Sequence, residues 1–493
     1  MSNSSDKEKV ISGLTWKLAE RMFSQGMTFV LSIILARLLM PSQYGIVAMI
    51  NIFIVIANVF VTAGFSSSLI QKKDADDLDF STIFYCTLTM AILMYGILFV
   101  CAPFIADFYK MPELCLLTRV FSLSLLISSY QTIQNAYISR HMIFKKNFFA
   151  TSVGTFLSGV IGVTMAYKGF GVWSLVVQQL SSIIINTLTL FSIVKWKPKL
   201  IFSWERAKSL MDYGSKILAS TLVNTIYREI RQLIIGSVYT PADLALYNRG
   251  SHYPNLVTGN IDTTLRSVLF PAMSNHSDNL PRVKDMLRKA IKNSSYVTYF
   301  CLTLLAVSSA PLIHLMLTDK WMGCVPYMQI FCICFMIQTV SSSNLQALKA
   351  IGKSDEVLKL ELFKKPAFLI LVLAAVPFGV KAIVCTAPIN ALYALFLNMG
   401  PTKKHLNYSR KEQVKDLLPG LLLAGVMAML TFPLVYLPLN DIAIMCLQII
   451  FAFVIYIVLS KRFEIDAYYY CKNTILEYYS KKRNRNKKYS LYD

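Results

Sequence analysis

The segment ARLLMPSQYG, residues 36–45, returns in altered form as GSVYTPADLA, residues 236–245. In both segments an apolar run ends, a proline follows, and a second apolar run begins. The two prolines, Pro41 and Pro241, are 200 residues apart. A proline in such a place is typical of the first turn of a helix. The pair of segments therefore predicts a chain made of two related halves.

A second pair of segments supports the duplication. GFGVWSLV, residues 169–176, resembles PFGVKAIV, residues 377–384, at an offset of 208 residues. Each copy lies in a short turn after an odd-numbered predicted span, and an even number of spans separates the copies. The halves should therefore share one orientation in a membrane, as a parallel repeat with a binding site expected between them.

The composition places these halves in a membrane. Of 493 residues, 55% are hydrophobic and 15% are charged, and the mean hydropathy is +0.51. Apolar runs of about 20 residues, the length that spans a bilayer as a helix, recur along the chain. We predict an all-α polytopic membrane protein with about fourteen transmembrane helices. The predicted spans are 12–36, 44–70, 80–103, 114–139, 148–167, 172–194, 213–236, 244–272, 295–317, 325–348, 361–377, 382–399, 416–437 and 441–459.

These spans define an expected domain organisation. Two six-helix lobes, 1–200 and 201–400, should surround a central cavity, followed by two extra helices in 401–460 and a basic tail in 461–493. On this topology 36 of the 49 lysines and arginines fall on one side of the membrane and 5 on the other. The positive-inside rule then puts both termini in the cytoplasm.

The basic charge itself predicts a lipid partner. The net charge of +22 and the tail sequence KKRNRNKK, residues 481–488, could suggest nucleic acid. Because the charge is concentrated on one side of the predicted spans, contact with anionic membrane lipids is the better interpretation. The cysteines and histidines are dispersed, so the sequence predicts no metal site and no cofactor.

The segment TIYREIRQLIIG, residues 225–236, places three charged residues in the middle of a predicted span. Charges at that depth are costly, so they are typical of functional sites that face water. Polar residues follow one face of the first, second, seventh and eighth spans, and the positions coincide under the offset of 200. The predicted substrate-binding residues are Arg21, Ser24, Thr28, Asn51, Asn58, Asn224, Arg228, Arg231, Arg249, Asn255 and Arg266.

Acidic residues near these faces have two interpretations. In a transporter, Glu20, Glu229 and Asp262 would be the candidates for coupling to an ion gradient. Each could instead form a structural ion pair, with Asp262 and Arg266 at a suitable spacing of four. The arginines match phosphate oxygens bidentately, and the neighbouring amides and hydroxyls match sugar hydroxyls. The cavity should therefore suit an anionic head group that carries a glycan.

The sequence resembles the Wzx-type polysaccharide flippases, in the polysaccharide transporter branch of the multidrug/oligosaccharidyl-lipid/polysaccharide superfamily. The resemblance rests on SGLTWKLAERMFSQGMTFVLSIILARLLMPSQYGIVAM (12–49), FGVWSLVVQQL (170–180) and LQALKAIGKSDEV (345–357). It implies two six-helix lobes around a cationic cavity lined by helices 1, 2, 7 and 8. It also implies translocation of an undecaprenyl-diphosphate-linked glycan, such as an O-antigen or exopolysaccharide repeat unit, by alternating access. A polymerase and other polysaccharide-assembly proteins are the further partners it suggests.

Two alternative functions remain open at this point. A multidrug or other small-molecule cation antiporter of the same fold would use the acidic residues, although the predicted cavity carries more positive charge. A membrane glycosyltransferase or polymerase is the enzyme alternative, with D-x-D in DADD, residues 74–77, as its metal-binding candidate. That short motif has weak specificity, and a solvated turn is the simpler interpretation. We therefore predict a transporter and no enzyme.

Overall fold

The structure is a computed structural model that describes residues 2–63, 69, 72 and 75–489, with the side chains of residues 2–11, 14, 210–213, 475, 478, 479 and 481–489 left out. Asp74 of the DADD segment and residues 490–493 of the predicted tail lie outside this range. The described residues form α-helices joined by short turns, which confirms the predicted all-α class. Contacts divide the chain into two compact units, residues 1–245 and residues 246–493. The predicted lobe boundary at residue 200 stays a prediction.

The first unit is a bundle in which long helices alternate with short connections. The pair α6 and α7 packs together, α1 packs against α6, and α8 packs against α2 and α3. Its helices are α1 (Ser2–Leu38), α2 (Pro41–Thr62), α3 (Asp77–Phe108), α4 (Glu113–Phe121), α5 (Ser124–His141), α6 (Phe144–Tyr167), α7 (Val172–Ile193), α8 (Trp204–Val238) and the start of α9 (Pro241–Ser274).

The second unit has the same kind of construction. Its α12 and α14 pack together, and its α10 packs against α12 and α15. Short 3₁₀ segments cover 319–324, 376–378 and 432–436. Its helices are the remainder of α9, then α10 (Leu280–Val307), α11 (Ser309–Leu317), α12 (Val325–Ala350), α13 (Ser354–Ala375), α14 (Val380–Leu406), α15 (Arg410–Thr431), α16 (Asp441–Arg462) and α17 (Asp466–Tyr489).

Each predicted span overlaps a helix of the described residues, with residues 64–68 and 70 of the second span outside them, and the chain is a multi-pass membrane protein. Within the described residues, ten helical stretches are long and apolar enough to cross a membrane. The number rises to eleven if α10 and α11, which meet at a bend of 64°, form one span. The helices α8, α9 and α13 cover the other three predicted spans, but they are too polar to belong to this set. The count of fourteen therefore stays a prediction.

The repeated segments adopt matching local structures. Pro41 and Pro241 each begin a helix, where the missing N–H of proline costs no hydrogen bond. Gly171 has φ +54° and Gly379 has φ +92°, and each directly precedes the helix that begins at the following valine. A side chain would be strained at such angles, so glycine is required in both turns. The two copies of the F-G-V segment therefore form the same kind of turn before a helix.

The turn between α8 and α9 packs tightly against the start of α2. A Cβ atom on Gly45 would lie 1.7 Å from the carbonyl oxygen of Pro241, so no larger residue fits there. Gly236, near the end of α8, lies against Met49 and Tyr109. This close approach holds the end of α8 against α2 and Tyr109, and it thereby orients the polar face of α8.

Ion pairs and hydrogen bonds fasten the helix ends in both units. In the first unit Arg206, in the first turn of α8, pairs with Asp76 and Asp79 at 2.6 and 3.1 Å. In the second unit Arg288 of α10 donates two hydrogen bonds to Asp416 of α15, at 2.6 and 2.8 Å. Asp79 and Asp416 are almost completely buried, so both ties are part of the packed interior.

Candidate functional site

The polar face of α8 contains the charged residues found in the middle of the seventh predicted span. Glu229 is buried, and its carboxylate accepts hydrogen bonds from Arg228 Nε at 2.8 Å and from Gln232 Nε2 at 2.5 Å. The Arg228 side chain is nevertheless 66% exposed, and Asn224, one turn earlier, is also exposed. Arg231 is half-buried on the next turn. The structure therefore buries the Glu229 carboxylate and leaves most of the Arg228 side chain accessible.

This arrangement settles how Glu229 is satisfied. From the sequence, Glu229 could pair with a cation on a neighbouring span, because adjacent residues do not face each other on a helix. In the structure it bonds to its own helix neighbours instead. A buried carboxylate needs such partners, and the long arginine side chain reaches back to it. The role of Glu229 in ion coupling stays a prediction.

The candidate residues of α2 lie on a helix that packs against α8. Asn51 is exposed, and Asn58 is half-buried two turns later. The Oδ1 atom of Asn58 is buried and has no hydrogen-bond partner among the described residues. A buried amide oxygen without a partner is uncommon, and a bound water or ligand group is a frequent explanation. The contact between α2 and α8 places two of the four predicted polar helices side by side.

The candidate residues of α1 lie on a helix that packs against α6. Arg21 and Thr28 are exposed, and Ser24 is half-buried. Glu20 accepts a hydrogen bond from Asn147 Nδ2 at 2.7 Å and one from Thr151 Oγ1 at 3.4 Å. These contacts tie α1 to α6.

The contacts of Glu20 extend into a longer network inside the first unit. Asn186 of α7 donates to Thr151 Oγ1 at 3.3 Å and accepts from Gln131 of α5 at 3.2 Å. Four helices are therefore connected by polar side chains, beginning at Glu20. Sequence spacing could not reveal this network because directly bonded members are as much as 131 residues apart.

The candidate residues of α9 belong to the second unit. Arg249 is buried, with its guanidinium 5.2 Å from the centre of the Trp321 ring. A cation at this distance from an aromatic ring makes a favourable cation–π contact. Asn255 and Arg266 are exposed, and Asp262 is half-buried with Oδ2 3.4 Å from Ser342 Oγ.

An open pocket of 510 Å³ lies on α9 around the last of these residues. Sequence analysis identified Asp262 and Arg266 but missed the other lining residues. Gly259 and Thr263 lie three residues before Asp262 and Arg266, and Ser267 lies four residues after Thr263, so helical spacing was the available signal. The pocket is lined by Gly259, Asp262, Thr263, Arg266 and Ser267.

Within the described part of the chain, no group of three or more His, Cys, Asp or Glu side chains is arranged to hold a metal ion. The cysteines of the described residues form no disulfide, and Cys332 and Cys334 of the C-x-C segment are buried. Asp76 and Asp77 of the DADD segment form ion pairs with Arg206 and Lys199. The described polar faces present arginine, amide and hydroxyl groups.

The chain is similar to a known protein family and to several curated proteins. The model of a family described as "Polysaccharide biosynthesis protein" matches residues 34–326. Among curated proteins, the chain is 22% identical over 353 residues to the succinoglycan biosynthesis transport protein ExoT of Rhizobium meliloti, covering 72% of both chains. It is 21% identical over 371 residues to the lipopolysaccharide biosynthesis protein WzxC of Escherichia coli, covering 74% of both. It is 23% identical to the teichuronic acid biosynthesis protein TuaB of Bacillus subtilis, covering 71% of this chain and 72% of TuaB.

Solved structures share the fold. The lipid II flippase MurJ in an inward closed conformation aligns with a TM-score of 0.75 at 15% identity, covering 91% of this chain and 98% of MurJ. An inward-facing multidrug resistance transporter of the MATE family aligns with a TM-score of 0.61 at 14% identity, covering 80% of this chain and 95% of that one. Both likenesses confirm the predicted fold, and the family match confirms the predicted resemblance.

Proposed function

The chain belongs to the polysaccharide biosynthesis protein family, and we propose that it is a flippase for a polyprenyl-diphosphate-linked oligosaccharide. The cargo would be an O-antigen or exopolysaccharide repeat unit that crosses the bacterial inner membrane by alternating access. The names of ExoT, WzxC and TuaB, which concern succinoglycan, lipopolysaccharide and teichuronic acid biosynthesis, support a carbohydrate cargo. MurJ, named as a lipid II flippase, has the same fold.

The proposal rests on the exposed guanidinium of Arg228. Its Nε atom is engaged by Glu229, so that bond fixes the side chain while the side chain stays 66% exposed. A guanidinium held in this way can present its terminal N–H groups to phosphate oxygens with little loss of conformational entropy. Arg231, one turn further along α8, adds a second cation of the same kind. A diphosphate group offers oxygens to both.

The other predicted residues complete the proposed binding surface. We assign sugar contacts to the amides and hydroxyls of α1, α2 and α9, with Arg21 and Arg266 as further cations. Glu20, Glu229 and Asp262 remain the proposed coupling residues. The proposal includes no catalytic step, so these residues bind and release cargo without making or breaking covalent bonds. The binding residues outside α8 are Arg21, Ser24, Thr28, Asn51, Asn58, Arg249, Asn255 and Arg266.

The proposed topology puts both termini in the cytoplasm. Basic residues are concentrated on the side of the predicted spans that contains the termini, and this is the side that anionic lipids favour. Lipid-linked glycan would be received on this side and released on the other. Further proposed partners are a polymerase and other polysaccharide-assembly proteins.

Removal of the two guanidinium groups of α8 tests the proposal. We expect the Arg228→Gln/Arg231→Gln variant to bind a polyprenyl diphosphate probe at least about a hundredfold more weakly, because each lost charged hydrogen bond costs about 1.5–3 kcal/mol. Binding would be measured on the full chain in nanodiscs, and flipping of a fluorescent lipid-linked oligosaccharide in proteoliposomes. The Lys168→Gln/Lys381→Gln variant is the matched control, since it removes two exposed positive charges elsewhere.

A cation exporter is the second candidate because the multidrug transporter of the MATE family shares the fold, and Asp262 is a half-buried acid. The same assay separates the two functions. Under the exporter hypothesis the wild type would bind and flip the lipid probe poorly, and the double arginine variant would do so equally poorly. Both proteins would transport a cationic dye. Wild-type binding of the diphosphate probe by the double arginine variant would refute the role of α8.

A further inference from the structure

The exposed face of α9 offers hydrogen-bond acceptors, because its hydroxyl protons are already engaged. Thr263 Oγ1 donates to the carbonyl oxygen of Gly259 at 2.6 Å, and Thr264 Oγ1 donates to that of Asn260 at 2.9 Å. Ser267 Oγ donates to the carbonyl oxygen of Thr264 at 3.0 Å. A hydroxyl has one proton to donate and two lone pairs that accept. What these three side chains can still offer to a ligand is therefore their lone pairs.

Two further residues of α9 are also acceptors. The amide nitrogen of Asn260 donates to the carbonyl oxygen of Leu256 at 2.9 Å. Asp262 lies at the border of the pocket, and an ionised carboxylate can only accept. We call Asn260, Thr263, Thr264 and Ser267 the acceptor face, and Asp262 borders this face beside Thr263. The four residues of the acceptor face are exposed, and Asp262 is half-buried.

A ligand that matches this face must bring donors of its own. Sugar hydroxyl groups can donate to threonine, serine and amide oxygens. Phosphate and carboxylate oxygens carry no proton at neutral pH, so they would meet lone pairs and the negative charge of Asp262. The single nearby cation is Arg266, which the pocket shares with Asp262. The volume of 510 Å³ is within the usual range for sites that bind small molecules.

The polar face of α8 has the opposite chemistry. Arg228 and Arg231 are donors only, and the acid beside them, Glu229, is buried and already bonded. Donors suit a diphosphate, and acceptors suit hydroxyl groups. The two helices therefore offer different chemistry, with donors on α8 and acceptors on α9.

We propose that the acceptor face of α9 binds the hydroxyl groups of uncharged sugars and disfavours acidic ones. This inference rests on the proposed function and names the class of glycan: neutral sugar residues in place of uronic acids at the position that reaches α9. The recognition comes from matching donors and acceptors, and from repulsion between Asp262 and an anionic sugar.

The test compares three probes on the full chain in nanodiscs. One probe is polyprenyl diphosphate without sugar, the second carries a neutral oligosaccharide, and the third carries the same oligosaccharide with one glucuronic acid. We expect the wild type to bind the neutral probe about tenfold more tightly than the sugar-free probe, as a few added hydrogen bonds would provide. The glucuronic acid probe should lose most of that gain.

Two variants locate the effect on α9. The Thr263→Val/Thr264→Val/Ser267→Ala variant removes three acceptors with little change of shape, and it should lose the tenfold gain while it keeps the affinity for the sugar-free probe. The Asp262→Asn variant should accept the glucuronic acid probe at least several-fold better than the wild type. Thr164→Val is the matched control, because the exposed Thr164 makes the same bond to a carbonyl four residues earlier, at 2.7 Å, on α6.

The outcomes separate this inference from the proposed function. If the triple variant keeps the tenfold gain, or if the wild type binds the neutral and acidic probes equally, the acceptor face does not select the glycan. A failure of the proposed function would give a different result. The sugar-free probe would then bind with equal affinity to the wild type and to the Arg228→Gln/Arg231→Gln variant. Thermal unfolding of each variant would confirm that it is folded, which is expected because such threonine bonds contribute little to helix stability.

Discussion

Two ion-pair clusters occupy equivalent places in the two units, but their charges are exchanged. In the first unit the acids are at the start of α3, where Asp76 and Asp79 pair with the basic Arg206 of α8. In the second unit the bases are near the start of α10, where Arg288 pairs with the acidic Asp416 of α15. Under the sequence repeat α3 corresponds to α10, and α8 and α15 are the helices that follow the sixth and the twelfth predicted spans. The same tie is therefore made with opposite signs.

This exchange of charges indicates that the two helices of each cluster are held together by the ion pair as a whole, whichever helix carries the acid. A buried acid alone would be strongly destabilising, and so would a base left without its acid. Either sign pattern is acceptable as long as both partners are present. The exchange also means that the basic start of α8 would be repelled by the basic residues of α10, which occupy the place of its acidic partners in α3.

The largest effect should follow from loss of the buried acid in the second unit. Asp416 has a side chain that is 3% exposed, and it accepts from Arg288, from Lys292 and from the buried Tyr408 hydroxyl. We expect Asp416→Ala to destabilise this unit by about 4 kcal/mol, because it leaves a guanidinium and a hydroxyl without their acceptor. Thiol reactivity of Cys471, which is packed in the adjacent apolar cluster, would report the opening of this unit.

A double-mutant cycle sharpens this prediction. Arg288→Gln combined with Asp416→Asn should cost less than the sum of the two single changes, since the double variant leaves no buried charge without a partner. Additive costs would mean that the two residues do not depend on each other, and the comparison with the first unit would lose its basis.

A smaller effect is expected for the buried acid of the first unit. Asp79 is fully buried and pairs with Lys72 at 2.7 Å as well as with Arg206. We expect Asp79→Ala to cost about 3 kcal/mol, since no buried hydroxyl is left unpaired there. Thiol reactivity of Cys86, which packs against the same region, would measure the opening. A loss much greater than that of Asp416→Ala would reverse the predicted order.

The matched control for this prediction is an exposed pair in the same cluster. Lys199 and Asp77 are 2.6 Å apart, but their side chains are 61% and 49% exposed. Ion pairs in such surroundings contribute about 1 kcal/mol or less. Asp77→Ala should therefore leave the reactivity of Cys86 nearly unchanged, whereas Asp79→Ala should raise it.

The smallest effect is a pH dependence confined to the first cluster. The backbone N–H of Asp79 donates to the carboxylate of Asp76 at 2.9 Å and, together with Arg206, holds the pKa of Asp76 below its usual value. A lowered pKa contributes stability that is complete above the pKa of the unfolded chain, about 3.9, and is lost as the pH falls through the lower folded value. The accessibility of Cys86, measured as its thiol reactivity relative to that of a small free thiol at the same pH, should therefore stay constant from pH 7 to about 5 and rise in stronger acid.

The Asp76→Asn variant checks the assignment of that pH dependence. It should have a smaller acid transition than the wild type, with the reactivity of Cys471 in the second unit unchanged between the two proteins. An acid transition of wild-type size in the variant would assign the dependence to another group.

Much of the fold was predictable because local patterns carry it. The apolar runs predict the helices, and proline and glycine mark their ends: Pro41 and Pro241 begin helices, and Gly171 and Gly379 adopt the positive φ angles that their turns need. The number of spans was harder to predict, because α8, α9 and α13 have enough polar residues to blur the signal.

The candidate site was only partly predictable. Helical spacing predicted that Arg228, Asn255 and Arg266 share polar faces, and all three are exposed. Spacing could not show that Glu229 is bonded to its own neighbours, or that Glu20 is tied to Asn147 of another helix. Those contacts depend on how side chains bend and on which helices meet, and neither is a property of a local pattern.

The amino-acid sequence by itself determined the helices, the duplication and the distribution of polar residues along each helix, because these follow from the periodicity of a single segment and from the cost of burying charge in a bilayer. The tertiary structure alone decided which charges are engaged and which are accessible. It buried Asp79 and Asp416 in ion pairs, and it left Arg228 open beside a bonded Glu229. Burial and pairing arise only when distant segments pack together, so no single segment can specify them.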